Sequence, residues 1–267
     1  MIEAKNISFS YGGRQALSEI CAKFGDGEFT AILGANGAGK STLLKLLSGW
    51  LAPCFGEIAY GGQNIKNFGA RELATKRAVL EQECTLDFEY TVGQIVGMGG
   101  FSGGLFGAQA RPETVSEALA AADLEGFENR IYSRLSGGEK RRAQLARALC
   151  QLGNAPQGKA LLLDEPAASL DPRAAHSAMK AAASAAEKGA CVVAVLHDPN
   201  LAFDYCGRAI LLKQGKIYAS GKTEDALSGE NLSAAYSHRC EVFDSPFGKT
   251  ARFPKFASNS NLSLIHI

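Results

Sequence analysis

The sequence predicts an α/β fold built on a mostly parallel sheet, and three observations carry that reading. Residues 29–33 (FTAIL), 160–163 (ALLL) and 191–196 (CVVAVL) are short apolar runs of strand length, the composition of strands buried on both faces in a parallel sheet. The first run leads through glycines into 41–47 (STLLKLL), whose leucines take up helical spacing, so a strand–loop–helix unit stands near the N-terminus. The other two runs end at Asp164 and His197, and the C-terminal ends of parallel strands are where such a sheet gathers its ligands.

The remaining elements follow in chain order. Residues 2–9 (IEAKNISF) alternate loosely before Tyr11-Gly12-Gly13, which reads as a strand closed by a turn. Between the first unit and Ala160, residues of about 85–155 change character: a Gly-rich segment (97–107), an Ala-rich helical pattern (113–124, ETVSEALAAADL) and the stretch LSGGEKRRAQLARA (135–148). This region reads as a mostly helical subdomain inserted into the α/β core. Beyond His197, AILLKQGKIYASG (209–221) reads as a hairpin turning at Gln214-Gly215. No internal repeat is evident, so the expectation is one domain over 1–250 followed by a tail, 251–267. The tail, SNSNLSLIHI, resembles nothing upstream, and its last six residues read like a translated adapter end, so the expectation is a non-native end or a truncated gene.

Composition removes several function classes. The 267 residues are 46% hydrophobic and 21% charged with a formal net charge of +1, which suits a large core and gives no footprint of a nucleic-acid binder. The N-terminus, MIEAKNISFS, carries Glu3 and Lys5 and no apolar segment, so no signal peptide is read there. No run approaches the roughly 18 apolar residues of a spanning helix; the expectation is a cytosolic chain that reaches a membrane only through a partner. Seven cysteines are scattered without CxxC spacing, which points to structural thiols in a reducing compartment.

GANGAGKS, residues 34–41, fits G-x-x-x-x-G-K-[ST] in the strand-to-helix context that pattern requires. Gly34, Asn36, Gly37 and Gly39 let backbone N–H groups turn inward around phosphate oxygens, and the following helix, with Thr42 in its first turn, adds its positive end. Lys40 would reach the terminal phosphates, and Ser41 would coordinate Mg²⁺. In ALLLDEP, an apolar strand delivers Asp164 to the same Mg²⁺, and Glu165 follows where a base could polarise an attacking water. Gln82 (RAVLEQ) and His197 (VLHD) end further apolar runs, which places them for sensing the terminal phosphate.

LSGGE beside GANGAGKST, LLLDEP and VLHD resembles the ATP-binding cassette family, over about residues 1–245. The resemblance implies a P-loop core with an N-terminal antiparallel β subdomain, ATP and Mg²⁺ as ligands, and a head-to-tail dimer with a second copy of the chain. In that dimer Ser136, Gly137 and Gly138 would complete the partner's ATP site, Asp171 in SLDP would lie in a dimer-crossing loop, and Tyr11 would stack on adenine. Gln82 would link Mg²⁺ and the attacking water to the helical subdomain, and His197 would be a switch histidine. Two departures stand out: Glu81, where these ATPases commonly have proline, and Lys140-Arg141-Arg142, where Gln-Gln-Arg is usual. The basic trio reads as a solvated helix face.

A single cassette without spanning segments resembles the separate ATPase subunit of an importer, working with integral-membrane permease subunits and, through them, a substrate-binding protein. ELATKRAVLEQ (72–82), QLARAL (144–149) and VLHDPNLAFDYCGRAILLKQGKIYASG (195–221) are similar to the group handling iron chelates, haem and cobalamin. The extra loop GNAPQGKA (153–160) is similar to haem-importer ATPases, which makes haem the first expectation and a ferric siderophore or cobalamin the alternative. A soluble cassette acting on DNA or ribosomes is the remote alternative, since such proteins usually carry two cassettes, coiled coils or basic extensions.

Overall fold

The computed structural model describes residues 1–81, 89–102 and 110–255. In chain order the strands are β1 (Ile2–Tyr11), β2 (Arg14–Phe24), β3 (Phe29–Gly34), β4 (Phe55–Tyr60), β5 (Gln63–Asn64), β6 (Arg77–Leu80), β7 (Ala160–Asp164), β8 (Cys191–Val195), β9 (Arg208–Lys213), β10 (Lys216–Lys222), β11 (Glu241–Ser245) and β12 (Gly248–Arg252). The α-helices are α1 (Lys40–Leu47), α2 (Ala70–Lys76), α3 (Val92–Gly97), α4 (Pro112–Ala121), α5 (Gly137–Leu152), α6 (Pro172–Glu187), α7 (Pro199–Tyr205), α8 (Thr223–Ala226) and α9 (Gly229–Tyr236). Among the described residues no helix is long and apolar enough to cross a membrane.

The central sheet runs β10-β9-β3-β8-β7-β6. All its pairings are parallel except the β9–β10 hairpin, which turns through Gln214 and Gly215, both at positive φ, a combination that matches the twist of a two-residue hairpin. β7 and β8 are buried at every position. Their side chains alternate between two cores: Leu161, Leu163, Val192 and Ala194 face one, and Leu162, Val193 and Val195 the other. Each fully buried Leu or Val contributes about 1.5–3 kcal/mol, so the strand ends that carry Asp164 and His197 are fixed points of the fold.

A second, antiparallel sheet (β2-β1-β4-β5) covers the face beside α1, as the family resemblance implied. The inserted helices α3, α4 and α5 have their own core, with Ile95, Val96, Leu119, Leu124 and Tyr132 at its centre, and the buried Gln144 donates to the Tyr132 hydroxyl at 2.9 Å. The C-terminal hairpin β11–β12 docks on α7: the Ala251 amide donates to the Asn200 side-chain oxygen at 2.8 Å. Ordered structure therefore continues through Arg252, past the expected break at 250. The expected non-native end lies outside the described residues.

Candidate nucleotide site

β3, β8 and β7 are hydrogen-bonded neighbours, with β6 next in line. That order, which is not the chain order, gathers at one sheet edge the phosphate loop after β3, His197 after β8, Asp164 and Glu165 at the end of β7, and the residue following β6. Tyr11, Asn36, Gly37, Gly39, Lys40, Ser41, Thr42, Glu165 and His197 line one open cleft there, together with Arg14, Gln15 and Ala16 from the start of β2.

The loop's glycines have a physical reason. Gly39 caps α1 at φ 102°, and a Cβ there would lie 2.6 Å from the Leu17 side chain and 2.9 Å from the Ala16 carbonyl oxygen. No other residue type fits without moving β2. The Lys40 ammonium turns back into the loop, donating to the Gly34 carbonyl at 2.8 Å and the Ala35 carbonyl at 3.2 Å. Burial lowers its pKa, with Glu165 and Asp164 opposing that shift through their charge.

Ser41 Oγ donates to Asp164 Oδ1 at 3.1 Å. The Asp164 carboxyl is buried, and burial raises its pKa, offset by the Ser41 hydrogen bond and the charge of Arg141. A hydroxyl and a carboxylate converging at the rim of a phosphate loop form a hard-oxygen donor pair of the kind Mg²⁺ takes beside phosphate ligands, so the residues present fit that ion. Glu165 follows in the left-handed region at φ 55°, a conformation costing about 1–3 kcal/mol for a non-glycine residue. That backbone turns its carboxylate into the cleft, where Oε1 lies 2.6 Å from His197 Nε2.

Tyr11 is exposed at the end of β1 and stands edge-on against Phe9, ring centroids 4.8 Å apart; its outer face borders the cleft. Gln82 lies outside the described residues. Ser136, Gly137, Gly138 and Asp171 do not line this cleft. Ser136 caps α5 in a reciprocal box: its amide donates to the Glu139 carboxylate at 2.7 Å, and its hydroxyl accepts from the Glu139 amide at 3.3 Å. Asp171 caps α6 through the Ala174 amide at 3.0 Å. The two caps belong to one surface, because a Cβ on Gly138 would lie 3.3 Å from the side chain of Leu170.

The reading of Lys140-Arg141-Arg142 as a solvated helix face is corrected for Arg141. Its guanidinium turns inward and donates to the main-chain carbonyls of Glu81, Asp164 and Glu165. A carbonyl has no residue identity, so nothing in the sequence marks it as the partner of an arginine.

An α/β sheet with a phosphate loop, an acidic strand end and a histidine on adjacent strands defines a nucleoside-triphosphatase core. The ABC transporter family matches residues 17–168, more than half of the chain. "Hemin import ATP-binding protein HmuV" of Rhizobium meliloti (strain 1021) is 41% identical over 249 residues, covering 92% of this chain and 95% of that protein. Among solved structures, a metal-chelate type ABC transporter in an inward-facing conformation superposes with a TM-score of 0.77 at 25% identity, covering 95% of this chain and 96% of the other. A dimeric bacterial ABC transporter cassette superposes with a TM-score of 0.73 at 29% identity, covering 84% and 99%. The chain belongs to the ABC transporter family, as an ATP-binding and ATP-hydrolysing cassette.

Proposed function

We propose that the chain is the ATPase subunit of a haem importer, bound to the cytoplasmic face of the membrane through separate permease subunits that receive haem from a substrate-binding protein. The observation that carries the substrate is the 41% identity to a hemin import ATP-binding protein over nearly the whole of both chains. Likeness to a metal-chelate type transporter over 95% of this chain fits haem and equally a ferric siderophore or cobalamin, which stand as the second reading.

In the proposed mechanism, the loop amides of Asn36, Gly37 and Gly39 and the Lys40 ammonium hold the β- and γ-phosphates of ATP, Gly34 supplies the close strand-to-loop turn, Thr42 lies in the first turn of α1, and Tyr11 stacks on adenine. Ser41, Asp164 and Gln82 would hold Mg²⁺, which would supply positive charge against the terminal phosphates. Glu165 accepts a proton from the attacking water, and His197, already 2.6 Å from that carboxylate, holds it in place and senses the γ-phosphate.

Ser136, Gly137 and Gly138 act on the ATP of a second copy, with Asp171 beside them at the dimer crossing. Ser136 Oγ accepts from the Glu139 amide, which fixes the hydroxyl at the start of α5, where a partner's phosphate would bind. Two nucleotides thus hold two chains together until hydrolysis removes the γ-phosphates. The permease docks where Trp50, 71% exposed, borders a groove with Leu44, Lys45, Val79 and Glu81.

The test is uptake of labelled haem and of a labelled ferric siderophore in cells carrying the native permease with wild-type protein or Glu165→Gln. Haem uptake lost selectively in the variant is expected. Intact haem uptake with lost siderophore uptake would move the substrate to the second reading.

A further inference from the structure

Two of the positions at which the sequence departs from the family pattern, Glu81 and Arg141, meet in space. Arg141 lies in α5, just after the Ser136 cap, in the inserted helical subdomain. Its Nη1 donates to the Glu81 carbonyl at 2.6 Å, directly after β6. Nη2 donates to the carbonyls of Asp164 and Glu165, the latter at 2.8 Å, at the end of β7. One planar fork therefore spans two neighbouring strand ends and ties both to the helix that begins with the LSGGE loop. Burial lowers the Arg141 pKa, opposed by the charges of Asp164 and Glu165, and guanidinium stays charged in proteins regardless. Cation-to-carbonyl hydrogen bonds of this kind are the strong ones, and a fork of fixed geometry loses little freedom in making several.

The Glu165 carbonyl held by Arg141 belongs to the residue whose left-handed backbone aims its carboxylate into the cleft. Any shift of the first turns of α5 is passed directly to that peptide. We propose that Arg141 is a positioning residue: it locks the main chain of Asp164 and Glu165 to the LSGGE helix, so that seating of Ser136 on a partner's nucleotide sets the position of the Glu165 carboxylate in its own chain. This rests on the reading of Ser136 as acting in trans and of Glu165 as the base.

The experiment uses the full chain as wild type, Arg141→Gln, Arg141→Lys and Ser136→Ala, with turnover, affinity for a fluorescent ATP analogue and melting temperature measured for each. Arg141→Gln is expected to lower kcat about 10- to 100-fold, the scale of a small misplacement of a reacting group. KM and analogue affinity should stay within about twofold of wild type, since no phosphate-binding group is touched. Arg141→Lys, a charged donor without the fork, should recover part of kcat. Combined with Ser136→Ala, Arg141→Gln should cost less than the product of the two single losses, because both act on one path.

Wild-type turnover in Arg141→Gln overturns the assignment. So does joint loss of analogue binding, turnover and melting temperature, which would make Arg141 an element of the fold alone, and so do fully multiplicative losses in the double variant. Failure of the trans reading is separate: Ser136→Arg and Lys40→Ala subunits would then never complement each other, whatever Arg141→Gln does.

Discussion

The phosphate loop and the LSGGE loop are both glycine-rich turns that open a helix, yet the molecule treats them differently. The first folds back on itself through Lys40 to Gly34 and Ala35 and is tied to the end of β7 by Ser41 to Asp164, beside the Glu165–His197 pair. The second is closed by the Ser136–Glu139 box, with Arg130 4.0 Å from the Glu139 carboxylate, and does not line the cleft that the first one lines. On the proposed reading, one loop holds the chain's own nucleotide and the other completes the site of a second copy. If that reading holds, the separation of the two loops within one chain makes ATP a dimerising agent, and variants of either loop test it.

The sharpest break in this comparison is at Glu165. Replacing it by Gln keeps the shape and the His197 contact but removes the proton acceptor, so turnover should fall roughly 10²–10⁴-fold with ATP binding intact. Gel filtration with ATP should then show a stable dimer. Near-wild-type turnover would remove Glu165 from the role of base.

Next in size is the loss and recovery of composite sites. Lys40→Ala should abolish ATP-dependent dimerisation by removing the phosphate ligand, and Ser136→Arg by filling the space for the partner's nucleotide. A mixture of the two retains one intact site per heterodimer, so a fraction of dimer should reappear on gel filtration. A site built within one chain would give no recovery at any mixing ratio.

A smaller effect separates the loops by backbone chemistry. Gly39→Ala places a Cβ against Leu17 and the Ala16 carbonyl at a φ of 102°, which should cost about 1–3 kcal/mol and lower the melting temperature. Gly137 has no atom within 4 Å of its would-be Cβ and no positive φ, so Gly137→Ala should melt like wild type while weakening ATP-dependent dimerisation. Equal melting of the two variants would remove the distinction.

This contrast also explains how much of the molecule could be read from its residues. The strands that end at Gly34, Asp164 and Val195 and the turns at Gly12-Gly13 and Gln214-Gly215 were legible because each is local: an apolar run, or a pair of turn formers. The strand order that makes β8 the neighbour of both β3 and β7 was not, since it is set by pairings far apart in the chain. The C-terminal hairpin was missed for the same reason, its anchor being one Asn200 amide on the Ala251 backbone. Arg141 was misread because its partners are peptide carbonyls from two other strands. The cradle was therefore visible as a motif, whereas the tie between its parts required the fold.

The smallest expected effect concerns the charge at the mouth of the LSGGE loop. Hydrogen bonds from the Ser136 amide and from the Ser136 side chain hold the Glu139 carboxyl below the usual carboxylate range. A depressed pKa means that this cap is fully formed above the ordinary Glu value of about 4.3 and is lost as pH falls through the lower folded value. At neutral pH the carboxylate sits on the positive end of α5, where a partner's γ-phosphate would arrive. Glu139→Gln keeps an oxygen to accept from the Ser136 amide and removes the competing charge. Charge at a helix terminus is worth about 0.3–1 kcal/mol, so the ATP concentration giving half-maximal dimerisation of a Glu165→Gln background should fall roughly two- to fivefold. Raising the salt should shrink that gain, because it screens both charges. Weaker dimerisation in the variant would mean that Glu139 supports the partner's nucleotide rather than competing with its phosphate.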